Sequence, residues 1–545
     1  MKSLPPEKKI TINGITFLNV PYVPDADGED VSPEEIVVVS ASKPLEDDGE
    51  LLPDFQTATG TTLEDAPPLE PKCGETPKSE TPAQPASKAS SSTKQRGEES
   101  SKRLLLDPAK VEAARNANRE VDALFAMARG ETEPEASTRT EPIVMDGRSR
   151  GGLLQALING QTPAGFARYH LVGRSQELRE IWLSLNRVSN GASELWCLTG
   201  PIGVGKTFFA GLATELAASL DMAFAVVDLE PKVHFGGTQG QSRKLIGKLM
   251  QAIQTPAGKG IRAILDCLAD KVGVNFEKDT ADLQARLRRL FEPLENHQLA
   301  DPFRRVLNMA LDARIKGNAE IEDRAVRWIA AKYDTAKEAK EELGVGTILD
   351  DDHVLDYLSL VARSIVICGW RGLIVVIDEA SVISNYLPKP ARDANWNQIL
   401  HTVNSMHNGG APHLGLILAG TEDLIHKERG LLSNPSLESR LAPVASGDGA
   451  AALGPIIRLR RFSREEYYLL LQGFRDLIFP LEERNRFPDE AIEAFLNKIF
   501  SVLGADQSLT TRDVLRQFAV AAKELIASPE LDWSTLQSRH ITKPE

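Results

Sequence analysis

Hydrophobic positions are distributed unevenly along the chain, and they divide its N-terminal region from the rest. Two short strand-like runs, residues 10–20 and 35–40, lie in acidic surroundings. From residue 51 to residue 103 the sequence is rich in Pro, Ser, Thr, Glu and Lys, with few large apolar residues. Such a segment cannot bury enough apolar surface to offset the entropy lost on ordering. We therefore predict a short β-like segment over residues 1–50 and a disordered linker over residues 51–103.

One amphipathic helix is predicted over residues 104–130, followed by a second linker over residues 131–151. Asp107 and Pro108 provide an N-cap and a favoured first helical residue, and Gly130 provides a C-terminal stop. An isolated amphipathic helix is marginally stable in water, so this one needs a surface to pack on. That surface is either the chain's own core or a partner protein, and we predict that the stripe docks on a partner. The stripe consists of apolar residues at helical spacing: Val111, Ala114, Val121, Leu124, Phe125 and Ala128.

From residue 152 onward the pattern is globular and predicts strands alternating with helices. This order is typical of an α/β fold with a parallel sheet. A long, mostly helical stretch at about residues 240–370 interrupts the alternation as an insertion. We predict a core over residues 152–455 and a C-terminal helical lid over residues 456–545. The predicted strands are residues 195–199, 223–229, 373–377, 414–419 and 455–459.

A glycine-rich turn directly follows the first of these strands. It fits the pattern G-x-x-x-x-G-K-[ST] and lies between a strand and a helix, as a phosphate-binding loop requires. In such a loop backbone N–H groups surround the β-phosphate at the N-terminus of the helix. Lys206 is expected to reach the β- and γ-phosphates of ATP, and the Thr207 hydroxyl to ligate Mg²⁺. The predicted ATP-binding residues of the loop are Gly200, Pro201, Ile202, Gly203, Val204, Gly205, Lys206 and Thr207.

Two later strands end in polar residues that can serve the same site. A continuous apolar run before Asp378 and Glu379 is typical of a central parallel strand, and ligands lie at the carboxyl ends of such strands. Asp378 is therefore predicted to hold Mg²⁺, and Glu379 to activate the attacking water as a general base. The next strand is followed by Thr421. We expect Thr421 to face the γ-phosphate, to cap the helix that begins nearby, or to do both.

These motifs together resemble those of AAA+ P-loop ATPases, which implies roles for further residues. Arg440 is expected to be an arginine finger supplied across a subunit interface, with an ordinary ion pair as the alternative. Arg512, at the start of a lid helix, is expected to contact the nucleotide, and Arg516 is the competing choice. Gly173 and Arg174 resemble the loop that borders the adenine in this class.

Composition narrows the class of protein. The formal net charge of −14 argues against a broad basic surface for nucleic acid. Four cysteines lie far apart without C-x-x-C spacing, which disfavours a zinc ribbon and fits a reducing cytoplasm. The N-terminus lacks an apolar secretory signal, and Arg371 interrupts the longest apolar stretch, residues 364–377. We therefore expect a cytoplasmic protein without membrane contact.

The spacing and the sequences of the motifs resemble those of one family in particular. Lys206 and Asp378 lie much further apart than a single βα repeat requires. Residues 369–379 and 419–423 look like those of the ATP-binding proteins of bacterial BREX-type phage-defence loci, the BrxD-like P-loop family. The resemblance covers about residues 152–526. It implies an ATP-hydrolysing subunit of a multi-protein antiphage system that acts as a motor or switch on or near DNA. The alternative is a signalling ATPase that assembles on ATP binding and recruits an effector.

A second, shorter resemblance concerns the amphipathic helix. Residues 106–108 and 119–125 are similar to a segment near the C-terminal domain of TerB-type proteins, which are often encoded beside such ATPases together with a helicase. This resemblance implies that helix 107–129 binds another protein of the same operon, a TerB-like or helicase subunit. A homo-oligomer is a further expectation, and direct contact with DNA is left open.

Overall fold

In a computed structural model, the protein forms two compact units, Met1–Arg96 and Gly97–Glu545. The residues that the structure describes are 8–12, 15–19, 106–128, 145–161, 172–237, 240–272, 291, 299–351, 353–426, 428–441, 454–501, 509–528, 530, 531, 533 and 535. In the first unit, strands β1 (Lys8–Ile12) and β2 (Ile15–Asn19) pair antiparallel. They overlap the first predicted strand-like run, residues 10–20, although β1 begins two residues before it. The second run and the linker over residues 51–103 lie outside the described residues.

A seven-stranded sheet organises the second unit. Its strands in chain order are β3 (Glu194–Thr199), β4 (Ala223–Asp228), β5 (Gln254–Thr255), β6 (Gly258–Lys259), β7 (Leu373–Asp378), β8 (Leu414–Gly420) and β9 (Ile456–Arg458). Their spatial order is β6-β5-β4-β7-β8-β3-β9, and the five strands from β4 to β9 in this order are parallel. Strand β8 lies between β3 and β7, so an additional strand separates the phosphate-loop strand from the Asp-Glu strand. The predicted α/β P-loop fold class is confirmed.

Helices surround this sheet and fill the predicted insertion. The helices within residues 241–367 lie between β4 and β7 along the chain, together with the short β5–β6 hairpin that extends the sheet. Short 3-10 helices span Glu422–Leu424, Leu431–Ser433 and Leu481–Arg486. The α-helices are α1 (Pro108–Ala128), α2 (Gly147–Ile158), α3 (Ser175–Ser189), α4 (Lys206–Ser219), α5 (Gln241–Ala252), α6 (Gly260–Val272), α7 (Ala300–Ile315), α8 (Ala319–Ile329), α9 (Ala336–Leu343), α10 (Val354–Ile367), α11 (Val382–Tyr386), α12 (Lys389–His407), α13 (Pro435–Leu441), α14 (Arg464–Ile478), α15 (Asp489–Phe500) and α16 (Thr511–Ala527).

Strands β7 and β8 are buried along their whole length. Helices cover both faces of the sheet, with α3 and α4 on one side and α5 and α10 on the other. A strand with two covered faces needs apolar residues at every position, which explains the continuous Leu, Ile and Val runs of these two strands. Their carboxyl ends consequently meet at one edge of the sheet, where Asp378 and Thr421 follow them.

The C-terminal helices form a separate apolar cluster, the lid. Helix α14 begins at a capping box in which Ser463 accepts the Glu466 N–H at 3.2 Å and donates its own N–H to the Glu466 carboxylate at 2.7 Å. Helix α2 belongs to this cluster too, because its Leu153 and Leu157 are buried against it. Asp146 caps α2, so this helix begins five residues before the predicted start of the core at residue 152. The lid is therefore assembled from both ends of the second unit.

Helix α1 packs against its own chain, so the prediction that its apolar stripe docks on a partner is wrong. Val121, Leu124 and Phe125 are 1%, 3% and 4% exposed and belong to the cluster that contains α3 and α4. The other half of the helix, through Val111 and Ala114, belongs to the lid cluster. The alternative surface considered for this helix, the chain's own core, is the one that the structure uses. The stripe is already covered and is not available to another protein.

Leu124→Ala should destabilise the protein, because it removes a buried side chain that α3 and α4 cannot replace. We expect the free energy of unfolding to fall by about 2–4 kcal/mol, as for other buried leucines. Denaturant unfolding followed by circular dichroism measures this change. Lys110→Ala, on the exposed side of the same helix, is the control and should change stability by less than about 0.5 kcal/mol. Equal stability of the two variants would show that α1 does not pack as described.

Candidate functional site

The glycine-rich loop joins β3 to α4 at the carboxyl edge of the sheet. Gly203 and Gly205 have φ values of 73° and 95°, a left-handed conformation that other residues rarely adopt. Gly203 also lies directly against the lid, because a Cβ on it would fall 2.4 Å from the Thr510 Cβ atom. Thr510 is the N-cap of α16. The loop is therefore in contact with the first turn of a lid helix.

Lys206, the first residue of α4, folds back over the loop. Its Nζ atom donates hydrogen bonds to the carbonyl oxygens of Gly200 at 3.1 Å and Pro201 at 3.0 Å. Burial lowers the pKa of the Lys206 ammonium, and the carboxylates of Asp378 and Glu379 oppose that shift. The lysine is thus a partly buried cation beside two carboxylates at the mouth of the loop.

Thr207 connects the loop to the Asp-Glu strand. Its Oγ1 atom donates a hydrogen bond to Asp378 Oδ2 at 2.7 Å. The other oxygen of Asp378 accepts the N–H of Glu379 at 2.8 Å. Glu379 has a φ of 53°, a left-handed conformation that costs about 1–3 kcal/mol for a residue with a side chain and that is frequent at functional sites. The chain consequently turns sharply where β7 ends.

A cavity of about 370 Å³ lies over the loop, and its lining combines two chemically different sets of residues. The polar set comes from the start of α4, from the ends of β7 and β8 and, through Arg512, from the lid, whereas the apolar set comes from α2 and the lid. A phosphate-binding loop beside an apolar slot suits a nucleotide, whose base is flat and largely apolar. The polar set includes Lys206, Thr207, Glu379, Ser381, Asn385, Thr421 and Arg512, and the apolar set includes Leu157, Phe462, Leu470, Phe474 and Leu515.

Most of the residues predicted for the site meet at this cavity. Gly200 and Pro201 reach it through the carbonyls that hold Lys206, and Asp378 reaches it through Thr207. Arg516, the competing choice to Arg512, is not part of the lining that the described residues form. The predicted residues that do line the cavity are Arg174, Ile202, Gly203, Val204, Gly205, Lys206, Thr207, Glu379, Thr421 and Arg512.

Arg174 lines the cavity, yet its side chain is bonded within the chain. Its guanidinium donates to the carbonyl oxygens of Val204 at 3.4 Å and Arg460 at 2.6 Å, and it lies 4.6 Å from the ring centroid of Phe462. Burial lowers the pKa of Arg174. These contacts tie the phosphate loop to the connection between β9 and the lid. Gly173, predicted to border the adenine with it, is not part of the described lining.

Thr421 lines the cavity, but its side chain does not cap the 3-10 helix that follows. Its hydroxyl donates to Asp423 Oδ2 at 3.0 Å and makes no capping bond to the 3-10 helix that follows. Its backbone N–H donates to Ser381 Oγ at 3.3 Å. The Thr421 hydroxyl proton is therefore committed to a neighbouring carboxylate, although the residue lies at the cavity.

Arg440 lies on α13, away from the cavity lining. Its Nη1 atom donates to the carbonyl oxygen of Ser436 at 2.9 Å, one turn earlier in the same helix. Within the described part of the chain Arg440 has no carboxylate partner, so the ion pair considered as the alternative is not formed there. The guanidinium is exposed at the surface.

Sequence reasoning missed several residues of the lining. Ser381 and Asn385 follow Glu379 by two and six residues, so their nearness to the Asp-Glu motif is a signal that could have found them. The apolar slot carries no comparable signal. Leu157 and Phe474 are ordinary core residues of amphipathic helices, and only the packing of α2 on the lid brings them to the same cavity.

Comparison with known proteins identifies the family. A family model described as BREX system ATP-binding protein BrxC/D matches residues 145–540, which is more than half of the chain. A search of curated proteins returned no match. The matched region begins after α1, so the resemblance of residues 104–130 to TerB-type proteins gains no support from it. Among the described residues, no helix has the length and apolar character needed to cross a membrane. The chain belongs to the family of BREX system ATP-binding proteins BrxC/D.

Proposed function

We propose that the protein hydrolyses ATP with Mg²⁺ at this cavity, as a cytoplasmic subunit of a bacterial antiphage defence system. The observation that carries the proposal is the 2.7 Å hydrogen bond from Thr207 to Asp378, with Glu379 next in sequence and in the lining of the same cavity. A site that only bound ATP would not need a second carboxylate facing the phosphates. The position of Glu379 in the cavity lining supports its assignment as the base for the attacking water.

The residues at this position fit a magnesium ion. The Thr207 hydroxyl and the Asp378 carboxylate are oxygen ligands of the kind that Mg²⁺ prefers. The described residues contain no group of three or more His, Cys, Asp or Glu that could hold a metal alone. This fits an ion that is held by one or two protein oxygens, phosphate oxygens and water. When bound there, Mg²⁺ would neutralise charge that develops on the phosphates.

The side chains around the cavity have separate roles in binding and hydrolysing ATP. Lys206 can exchange its two carbonyl acceptors for β- and γ-phosphate oxygens, since an ammonium forms stronger hydrogen bonds with charged acceptors. Glu379 accepts the proton of the attacking water. Arg512 offers a cation from the lid side of the cavity. The apolar slot defined above takes the adenine, and Arg174 keeps the loop in position against the lid connection.

The biological role that we infer is a motor or switch acting on or near DNA with other proteins of the defence system. Because the net charge is −14, we expect any contact with DNA to be made through a local basic patch or a partner, and not through a broad basic surface. The second candidate is a signalling ATPase that assembles on ATP binding and recruits an effector. The exposed Arg440 favours assembly in both cases, because it lacks a carboxylate partner in the described chain and can serve a neighbouring subunit.

Glu379→Gln should bind ATP and fail to hydrolyse it, because a neutral amide cannot accept the proton of water. We expect kcat to fall by about 100-fold or more.

Lys206→Ala should weaken ATP binding by about tenfold or more, since it removes a charged donor to phosphate. Phosphate release and equilibrium binding of a fluorescent ATP analogue measure the two effects. Lys244→Ala, an exposed lysine of α5, should change neither. Hydrolysis by Glu379→Gln at the parental rate would contradict the assignment of the base.

Duplex DNA should raise the steady-state rate of ATP hydrolysis if the protein is a motor or switch on DNA. We expect the rate of hydrolysis to rise about fivefold or more, because fivefold is the lower end of the typical coupling between two sites. The rate is measured against DNA concentration at two salt concentrations. An unchanged rate, together with assembly that depends on ATP, would favour the signalling alternative.

Arg440 should act on the nucleotide of a neighbouring subunit. Arg440→Ala should lower kcat by about 10³-fold, as for other arginine fingers, because it removes the cation that the neighbouring subunit would supply to the γ-phosphate. Mixing this variant with Lys206→Ala protein should restore part of the activity, since each supplies what the other lacks. Arg458→Ala, at an exposed position of β9, is the control. Absence of recovery in mixtures shown to co-assemble would exclude a role in trans.

A further inference from the structure

We propose that Ser381 is a further residue of the ATP site, and that its hydroxyl donates a hydrogen bond to a γ-phosphate oxygen. This inference rests on the proposed placement of ATP in the cavity. Ser381 lies in the turn between β7 and α11, two residues after Glu379. It is 3% exposed and belongs to the cavity lining.

The backbone of this turn is fixed against the end of β8. The N–H of Ala380 donates to the carbonyl oxygen of Ala419 at 2.8 Å. Gly420 approaches so closely that a Cβ on it would lie 2.9 Å from the Ser381 backbone nitrogen. A side chain at position 420 would therefore push the turn away. The backbone at Ser381 is consequently held against the end of β8.

The Ser381 hydroxyl is not used in the way that its location suggests. Ser381 is the N-cap of α11, where a serine normally accepts a helix N–H, yet its side chain makes no capping bond. Its Oγ atom instead accepts the N–H of Thr421 at 3.3 Å. A serine hydroxyl carries one proton to donate. Among the described residues no acceptor takes that proton, so it can be donated to a ligand in the cavity.

The hydroxyl of Thr421, which the sequence placed at the γ-phosphate, is less available than that of Ser381. Thr421 Oγ1 donates to Asp423 Oδ2, and the Asn385 amide donates to the same carboxylate oxygen at 3.3 Å. Freeing the Thr421 proton would break this group of bonds. The Ser381 proton requires no such rearrangement. Because Ser381 accepts the N–H of Thr421, a bond from Ser381 to the nucleotide would also join the γ-phosphate to the end of β8.

Charge explains why a neutral donor suits this position. Glu379 and Asp378 are both carboxylates beside the loop, and they repel the γ-phosphate. A hydroxyl adds attraction without competing with Lys206 for its partners, and its bond to a charged phosphate oxygen is stronger than one to a neutral acceptor. ADP lacks the acceptor. Ser381 would therefore distinguish ATP from ADP.

The affinities of Ser381→Ala for ADP and for the non-hydrolysable analogue with a β,γ-imido bridge test this role. Loss of one hydrogen bond to a charged group should weaken binding of the analogue by about tenfold. ADP affinity should stay within about twofold, because ADP does not reach the hydroxyl. Both affinities are measured by calorimetry on the full chain. Ser384→Ala is the matched control, since Ser384 is a buried serine three residues further on, in α11 and outside the cavity lining, and it should leave both affinities unchanged.

Ser381→Thr keeps the hydroxyl and should retain most of the preference for the analogue, which separates the hydrogen bond from packing. Equal weakening of ADP and analogue by Ser381→Ala would assign Ser381 a structural role and overturn the inference. Unchanged affinity for both ligands would overturn it as well. If the unmodified protein binds the analogue without hydrolysing ATP, the proposed hydrolysis fails, while the affinity comparison still decides the role of Ser381.

Discussion

The hydrogen bond between Thr207 and Asp378 is the constraint on which the site depends. It joins the first turn of α4 to the end of β7, although β8 separates β3 from β7 in the sheet. The helix must therefore begin above β8, and the glycine loop must turn tightly enough to bring it there. Glu379 and Ser381 then follow Asp378 into the lining of the cavity. One short contact thus fixes the position of the glycine loop relative to Asp378 and Glu379.

The other side of the cavity is built by segments that are remote in sequence. Helix α2 precedes the sheet and the lid follows it, and their apolar residues meet in one cluster. Arg174 fixes the loop to the β9–lid connection through carbonyl oxygens on both sides. Gly203 touches Thr510 at the start of α16. A nucleotide in the cavity would consequently contact the core and the lid at the same time.

The sequence was informative where a single requirement dictated the residues. Buried parallel strands must be apolar throughout, so β7 and β8 were predicted to within a residue at each end. Helix α1 shows the limit of such patterns. The periodicity of its apolar residues indicates that this face of the helix is covered, but it does not indicate which surface covers it. The prediction that a partner protein covers it was wrong, because the chain's own core does so. The hydrogen-bond partners of Arg174 could not be predicted either, because Arg460 is 286 positions away along the chain. The Ser381 hydroxyl depends on a hydrogen bond from Thr421 across two strands, which no local pattern encodes.

Helix α1 belongs to two apolar clusters, with its first half in the lid and its second half against α3 and α4. A helix shared in this way cannot remain ordered on one cluster while the other melts without exposing half of its stripe. The lid and the core should therefore lose structure in one cooperative transition, despite having separate apolar interiors. Slow amide exchange in the lid would then report the stability of the whole second unit.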